Sequence, residues 1–277
     1  MPANLTIFHL IFLPALGVAT GAVGAIVGVG GGFILVPVLL VLFPESSPAT
    51  ITSISLAVIL LNASSSTIGY LGQRWVDLRT GFVLTVTAVP ASVAGALATG
   101  LVSRRDFELI FGSAMVLGAI YILWRSTARQ AVDQPSGKIP NRVMGDRHGA
   151  TYSFHVDQRL AALISPVAGF VASFLGIGGG VVHMPALVLL LRMPARIAAA
   201  TTLFVLVFTS LSGVLVHVAT GQFHYGWRRA GLLGIGVLVG AYVGVRLANR
   251  VNPRVLMVVL SIGLIAAGVR QVVAGLV

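Results

Sequence analysis

A ten-residue motif, Gly28-Val-Gly-Gly-Gly-Phe-Ile-Leu-Val-Pro37, returns 148 positions later as Gly176-Ile-Gly-Gly-Gly-Val-Val-His-Met-Pro185. Both copies lie inside long apolar runs free of charged side chains. Glycine adopts backbone conformations that other residues avoid, so a glycine cluster followed by an apolar run interrupts a membrane helix and begins a shorter one. Two copies predict a duplicated chain with two such breaks at its working centre.

The remaining composition agrees with a bilayer environment. The chain is 57% hydrophobic and 9% charged, with a mean hydropathy of +0.99, which excludes an ordinary soluble domain. Its 277 residues supply about eight spans of roughly 20 residues each and one polar segment, with no room for a soluble enzyme domain. The fold class is therefore an all-α integral membrane protein, with about eight transmembrane helices in two sequence-related halves. The net charge of +11 comes from Lys and Arg at span ends and in one linker. That placement suits orientation and contact with membrane lipid, and argues against nucleic acid as a partner. Without cysteine there are no disulfides, thiolate metal sites or cysteine nucleophiles. The N-terminus has no Lys or Arg before Arg74, so it lacks the basic segment of a secretory leader and is expected to begin the mature chain.

Residues 1–125 read as a first four-helix membrane repeat, 126–159 as a polar cytoplasmic linker, and 160–277 as a second four-helix repeat. Residues 5–43 are uncharged and too long for one straight crossing, which predicts a break at Gly28 to Gly32 and a half-length helix over 33–43. A span over about 49–72 follows, polar at its middle, then spans over about 80–102 and 109–124. The linker carries Pro135, Gly137, Pro140, Gly145 and Gly149 among its basic residues, a composition expected to be partly mobile. After it the pattern repeats, with 160–191 broken at Gly176 to Gly180 and spans over about 197–220, 230–248 and 255–276. Pro48 matches Pro194 and Gln73 matches Gln222, at offsets of 146 and 149. Ala91, Gly95 and Thr99, like Gly240 and Gly244, form small-residue stripes of the kind that pack helices.

Four crossings per half would place the halves in parallel, whereas a re-entrant half-helix would invert them. With eight crossings the termini and linker share a side, whose connections carry eleven Lys and Arg against seven opposite, a weak bias for both termini inside.

The seven acids, Glu45, Asp77, Asp106, Glu108, Asp133, Asp146 and Asp157, all fall in turns, span ends or the linker. A cation carrier normally keeps a carboxylate in the membrane. The core instead offers helix N-termini, whose free amides hold anions. Gly30, Gly31, Gly32, Gly178, Gly179 and Gly180 are the candidate substrate-binding backbone. Thr52, Ser53, Thr201 and Thr202 are candidate hydroxyl donors. The competing reading of the glycines is close helix packing. A phosphate loop is excluded, since neither copy has the following Lys-Ser/Thr or a preceding strand. His183 and His217 are the ionisable groups of the second half's core. His183 is a candidate proton relay, set against a hydrogen-bonded structural role. Ser210 or Ser212 with His217 could be imagined as a catalytic pair, but no nucleophile motif surrounds them, and neither metal nor cofactor is expected.

The duplicated Gly-x-Gly-Gly-Gly-x4-Pro, each copy followed by a Pro-Ala turn and a Ser/Thr-rich span, resembles the TauE/SafE family of membrane transporter proteins. The resemblance covers almost the whole chain apart from the linker. It implies secondary transport of a small anion, sulfite or an organosulfonate such as sulfoacetate, across a bacterial inner membrane. A non-transporting membrane protein or channel is the alternative, and a homo-oligomer is left open.

Overall fold

The computed structural model describes residues 7–127, 140–145, 147, 149, 151–248 and 253–276. Ten helices are described: α1 (Ile7–Val27), α2 (Gly32–Leu42), α3 (Pro48–Gly72), α4 (Leu78–Thr99), α5 (Arg104–Thr127), α6 (Gln158–Leu175), α7 (Gly180–Leu189), α8 (Ala195–Ala219), α9 (Trp227–Leu247) and α10 (Pro253–Leu276). Six of them, α1, α3, α4, α6, α8 and α9, are long and apolar enough to cross a membrane. α5 and α10 have 24 residues each, about 36 Å of helix, which also suffices. α2 and α7, of 11 and 10 residues, are half-length.

The helices begin where local chemistry supports a start. Ser47 accepts from the Thr50 amide with Pro48 at the first helical position of α3, and Asp77 and Asp157 cap α4 and α6. Each such cap is worth about 1 kcal/mol. The breaks fall at the glycine clusters. Gly28, Gly30, Gly31, Gly176 and Gly178 all have φ between 62° and 83°, the left-handed region that a β-carbon makes costly.

Helix directions follow from which residues touch. Thr52, near the start of α3, lies 3.3 Å from His217 near the end of α8, while the Asp77 amide just beyond α3 donates to Thr201 near the start of α8. α3 and α8 are therefore antiparallel. So are α5 and α10, with Arg105 donating to the Gly275 carbonyl. By contrast α1 runs parallel to α9, with Pro14 against Gly236 and Ala22 against Gly244. α4 likewise runs parallel to α6, with Ser165 donating to Leu84 and Thr99 to Phe174. Since α3 matches α8 in the repeat, and α5 matches α10, equivalent helices point in opposite directions. The halves are inverted about an axis perpendicular to the helices.

The cause lies at the breaks. α1 is long enough to cross, but the chain turns back at residues 28–31 and α2 returns to the face where α1 began, so that His9 stacks on Phe43 at 5.7 Å between ring centroids. The hairpin adds no net crossing, and α3, α4 and α5 leave three per half. The start of α1 and the end of α10 thus come to one face, with Phe43, Ser46, Arg104, Arg229 and Gly275. The linker joins the opposite face, at Asp77, Arg142 and Gln158. This corrects the expectation of termini and linker on one side, which followed from counting four crossings.

Part of the linker is regular structure rather than loop. β1 (Arg142–Gly145) pairs antiparallel with β2 (Thr151–Phe154), Asn141 makes a two-way hydrogen bond with the backbone of Val156, and Arg142 pairs with the buried Asp77 at 3.4 Å. Residues 128–139 of the linker lie outside the described residues. The small-residue stripes pack helices as expected: a β-carbon on Gly95 would meet the Phe170 and Phe174 backbone, and one on Gly240 the Val18 and Ala22 backbone.

Candidate functional site

The two glycine loops meet at half height of the bundle. A β-carbon on Gly178 would lie 2.8 Å from Ile59 and 3.1 Å from Leu206, and one on Gly30 would meet the same two side chains. Ile59 and Leu206 are themselves repeat equivalents, 147 positions apart, near the centres of the 25-residue helices α3 and α8. The loops also touch each other, since a β-carbon on Gly32 would come 2.9 Å from the Ile177 backbone and one on Gly180 2.7 Å from the Val29 carbonyl oxygen. Inverted symmetry thus brings the N-termini of α2 and α7 together.

Each loop is closed by carbonyls of the preceding helix. Gly28, Val29 and Gly30 all donate to Gly24, and Ile177 and Gly178 to Ala172. Side chains hold the loop carbonyls from α3: Ser55 donates to Gly176 at 2.6 Å and Asn62 to Gly30 at 3.0 Å, with Ser66 donating to the Asn62 oxygen. Ile34 and Leu35 return to the Gly31 carbonyl, and Val182 and His183 to Gly179. Among the described residues, nothing accepts from the amides of Gly31, Gly32 and Phe33 at α2, or of Gly179 and Val181 at α7. All but Val181 belong to buried residues. A buried unmade hydrogen bond costs about 1–3 kcal/mol, so four buried donors and one half-buried donor at two adjoining helix N-termini are an arrangement that an acceptor-rich anion would satisfy.

The predicted hydroxyls divide. Thr202 lies between Ala199, which faces Gly28, and Leu206, which faces Gly30, on one side of α8. Its hydroxyl is fully buried and without a partner. The remaining three are engaged elsewhere. Thr52 bonds Ala49 and faces His217, Ser53 donates back to Thr50 at 2.7 Å, and Thr201 accepts from the Asp77 amide. His183 stands in the first turn of α7, buried between Gly179 and Ser165. Asn62 and Ser55 belong to the polar middle of the 49–72 span, expected from sequence to hydrogen-bond between helices or to line a substrate path, whereas Ser165 carries no such expectation. The usable signal for the first two is a polar side chain near the middle of a membrane helix, and for Ser165 one of only two serines, with Ser173, in an uncharged run. A cavity of about 300 Å³ borders this region between α5, α6 and α7, but apolar side chains including Met115, Ile164, Leu175 and Val181 line it, so it offers no side-chain donors to an anion.

Inverted halves, paired half-helices and free amides at their meeting point define the transporter class of multi-pass membrane protein. The chain belongs to the family described as sulfite exporter TauE/SafE, whose model matches residues 13–271. It is similar to the probable membrane transporter protein YunE of Bacillus subtilis, 29% identical over 96% of this chain and 98% of that one. It is also similar to a probable membrane transporter protein of Methanocaldococcus jannaschii, 22% identical over 94% and 96%, and to one of Haemophilus influenzae, 26% identical over 84% and 80%. These are families and relatives of membrane transporters, not enzymes. No solved structure matches the chain.

Proposed function

We propose that the chain is a secondary transporter of a small anion, sulfite or an organosulfonate, in the plasma membrane, which for a bacterium is the inner membrane. The observation that carries this reading is the set of unpartnered amides at Gly31, Gly32, Phe33, Gly179 and Val181, at the contact of two half-helices related by inversion. The buried Thr202 hydroxyl adds a donor, and among the described residues no acid stands near to repel negative charge. Sulfite and the sulfonate group each present three acceptor oxygens, enough to engage donors from both loops at once. Inversion supports alternating access, because exchanging the conformations of the two halves opens the same site to the other face.

The topology also sharpens the orientation. Arg104, Arg105, Arg228, Arg229 and Arg270 fall on the side of the chain ends, and the connectivity assigns the other thirteen of the eighteen Lys and Arg to the linker side. By the positive-inside tendency the linker is cytoplasmic and both termini are outside. Counterflow in proteoliposomes with sulfite, methanesulfonate, sulfoacetate, acetate and sodium tests the substrate class. Exchange of sulfite or a sulfonate is the expected result. Movement of sodium with every anion inert ends the proposal.

A further inference from the structure

Two polar contacts reach His183, which is 1% exposed, and a third reaches its partner Ser165. Its Nδ1 lies 3.1 Å from the Gly179 carbonyl, its Nε2 lies 2.9 Å from Ser165 Oγ, and that oxygen lies 2.7 Å from the Leu84 carbonyl. Carbonyls only accept, so the Gly179 contact requires a proton on Nδ1 and the Leu84 contact requires the serine proton. Nε2 then faces the serine oxygen with nothing between them unless the ring carries a second proton. A neutral imidazole and a serine supply two protons for three contacts. An imidazolium and a serine supply all three.

We infer that His183 is a proton-binding site and takes up its proton together with the anion held at the N-terminus of α7. The inference rests on the transporter reading above and names its coupling ion. A β-carbon on Gly179 would lie 2.6 Å from His183 Nδ1, so the ring packs against the residue whose amide is free. Opposite charges on the buried ring and at that amide are close neighbours in the protein interior, where screening is weak, which favours joint occupancy. A monoanion and a proton also cross as a neutral pair, avoiding a net charge in the bilayer.

The first half lacks the device. At the 148 offset of the glycines, His183 corresponds to Leu35 and Ser165 to Gly17, so each molecule has one such site. Among the described residues, the charged and titratable groups on the elements around α7 are engaged elsewhere or exposed. Asp77 pairs with Arg142, Glu108 with Arg104, Asp106 with Ser103, Arg105 with Gly275, and His217 with Thr52. Arg79, Arg159, Arg192 and Arg196 are exposed.

The test uses the full-length protein in proteoliposomes containing a pH-sensitive dye, with sulfite and methanesulfonate as probes. The wild type should acidify the lumen when either anion is added outside and should concentrate it under an inward proton gradient. The double variant His183→Leu, Ser165→Gly installs the first half's own residues, and His183→Gln keeps a hydrogen-bonding side chain without a titratable ring. Both should continue counterflow at reduced rate while acidification per anion falls at least tenfold. Comparing variants with wild type cancels any proton that sulfite itself carries. Wild-type transport without proton movement, or variants that acidify per anion as wild type does, would overturn the inference and leave the transporter reading intact. Absence of counterflow for both probes in the wild type would remove that reading and this inference with it.

Discussion

Gly30 and Gly178, equivalent residues of two inverted halves, rest against the same pair of side chains, Ile59 and Leu206. Each half therefore builds its loop into a pocket made partly by the other. A displacement of either loop therefore acts on the two side chains that bound its mate.

The first prediction concerns the side of each connection. Reporter fusions after residues 76 and 140 should give cytoplasmic signals, and a fusion after 225 should give an external one. Equal signals at 76 and 225 would contradict the antiparallel pairing of α3 with α8.

Glycine substitutions should sort by what a β-carbon meets. Gly180→Ala places a methyl 2.7 Å from the Val29 carbonyl oxygen and should lower stability by about 1–3 kcal/mol. Gly118→Ala on α5 meets nothing within 4 Å and should be neutral or slightly stabilising, by up to about 1 kcal/mol. Thermal unfolding of the two variants in detergent checks the contrast. Equal melting temperatures would refute close packing of the loops.

Gly179→Val addresses binding directly. In protein that still inserts and purifies as a single species, it should lose anion binding together with transport, because the side chain would occupy the space beside the free amide and press on His183. Retained affinity for sulfite and sulfonates, measured by calorimetry, would assign these glycines to packing alone.

Thr202→Val separates a substrate ligand from a structural hydroxyl. The Thr202 oxygen is buried without a partner, so its removal should leave stability unchanged or raise it by about 1 kcal/mol. Anion affinity should fall several-fold. A variant that loses stability and keeps its affinity would show that the hydroxyl serves the fold.

Asp77 joins both halves at the linker face: its carboxylate caps α4 through Thr80 and pairs with Arg142, while its amide donates to Thr201. Asp77→Ala should cost about 1–3 kcal/mol, from the lost cap and a mostly buried guanidinium left unpaired. Arg142→Ala, which leaves the cap intact, should cost less, and denaturation of the two side by side measures the difference.

Much was legible in the chain itself. The paired Gly-x-Gly-Gly-Gly motifs and the uncharged runs around them determined a duplicated helical membrane protein, its breaks and its half-helices, because solvation by lipid and the φ preference of glycine act locally on the residues that carry them. Only the tertiary structure decided that α1 and α2 fold back so that His9 meets Phe43, and this one contact changes the crossing count and inverts the halves. The same holds for the hydroxyls. Thr201 and Thr202 are adjacent and alike in sequence, yet one is taken by the Asp77 amide and the other left free beside the loops. A helix turns about 100° per residue, so which neighbour faces the site depends on how α8 is rotated against distant elements, and no local signal records that.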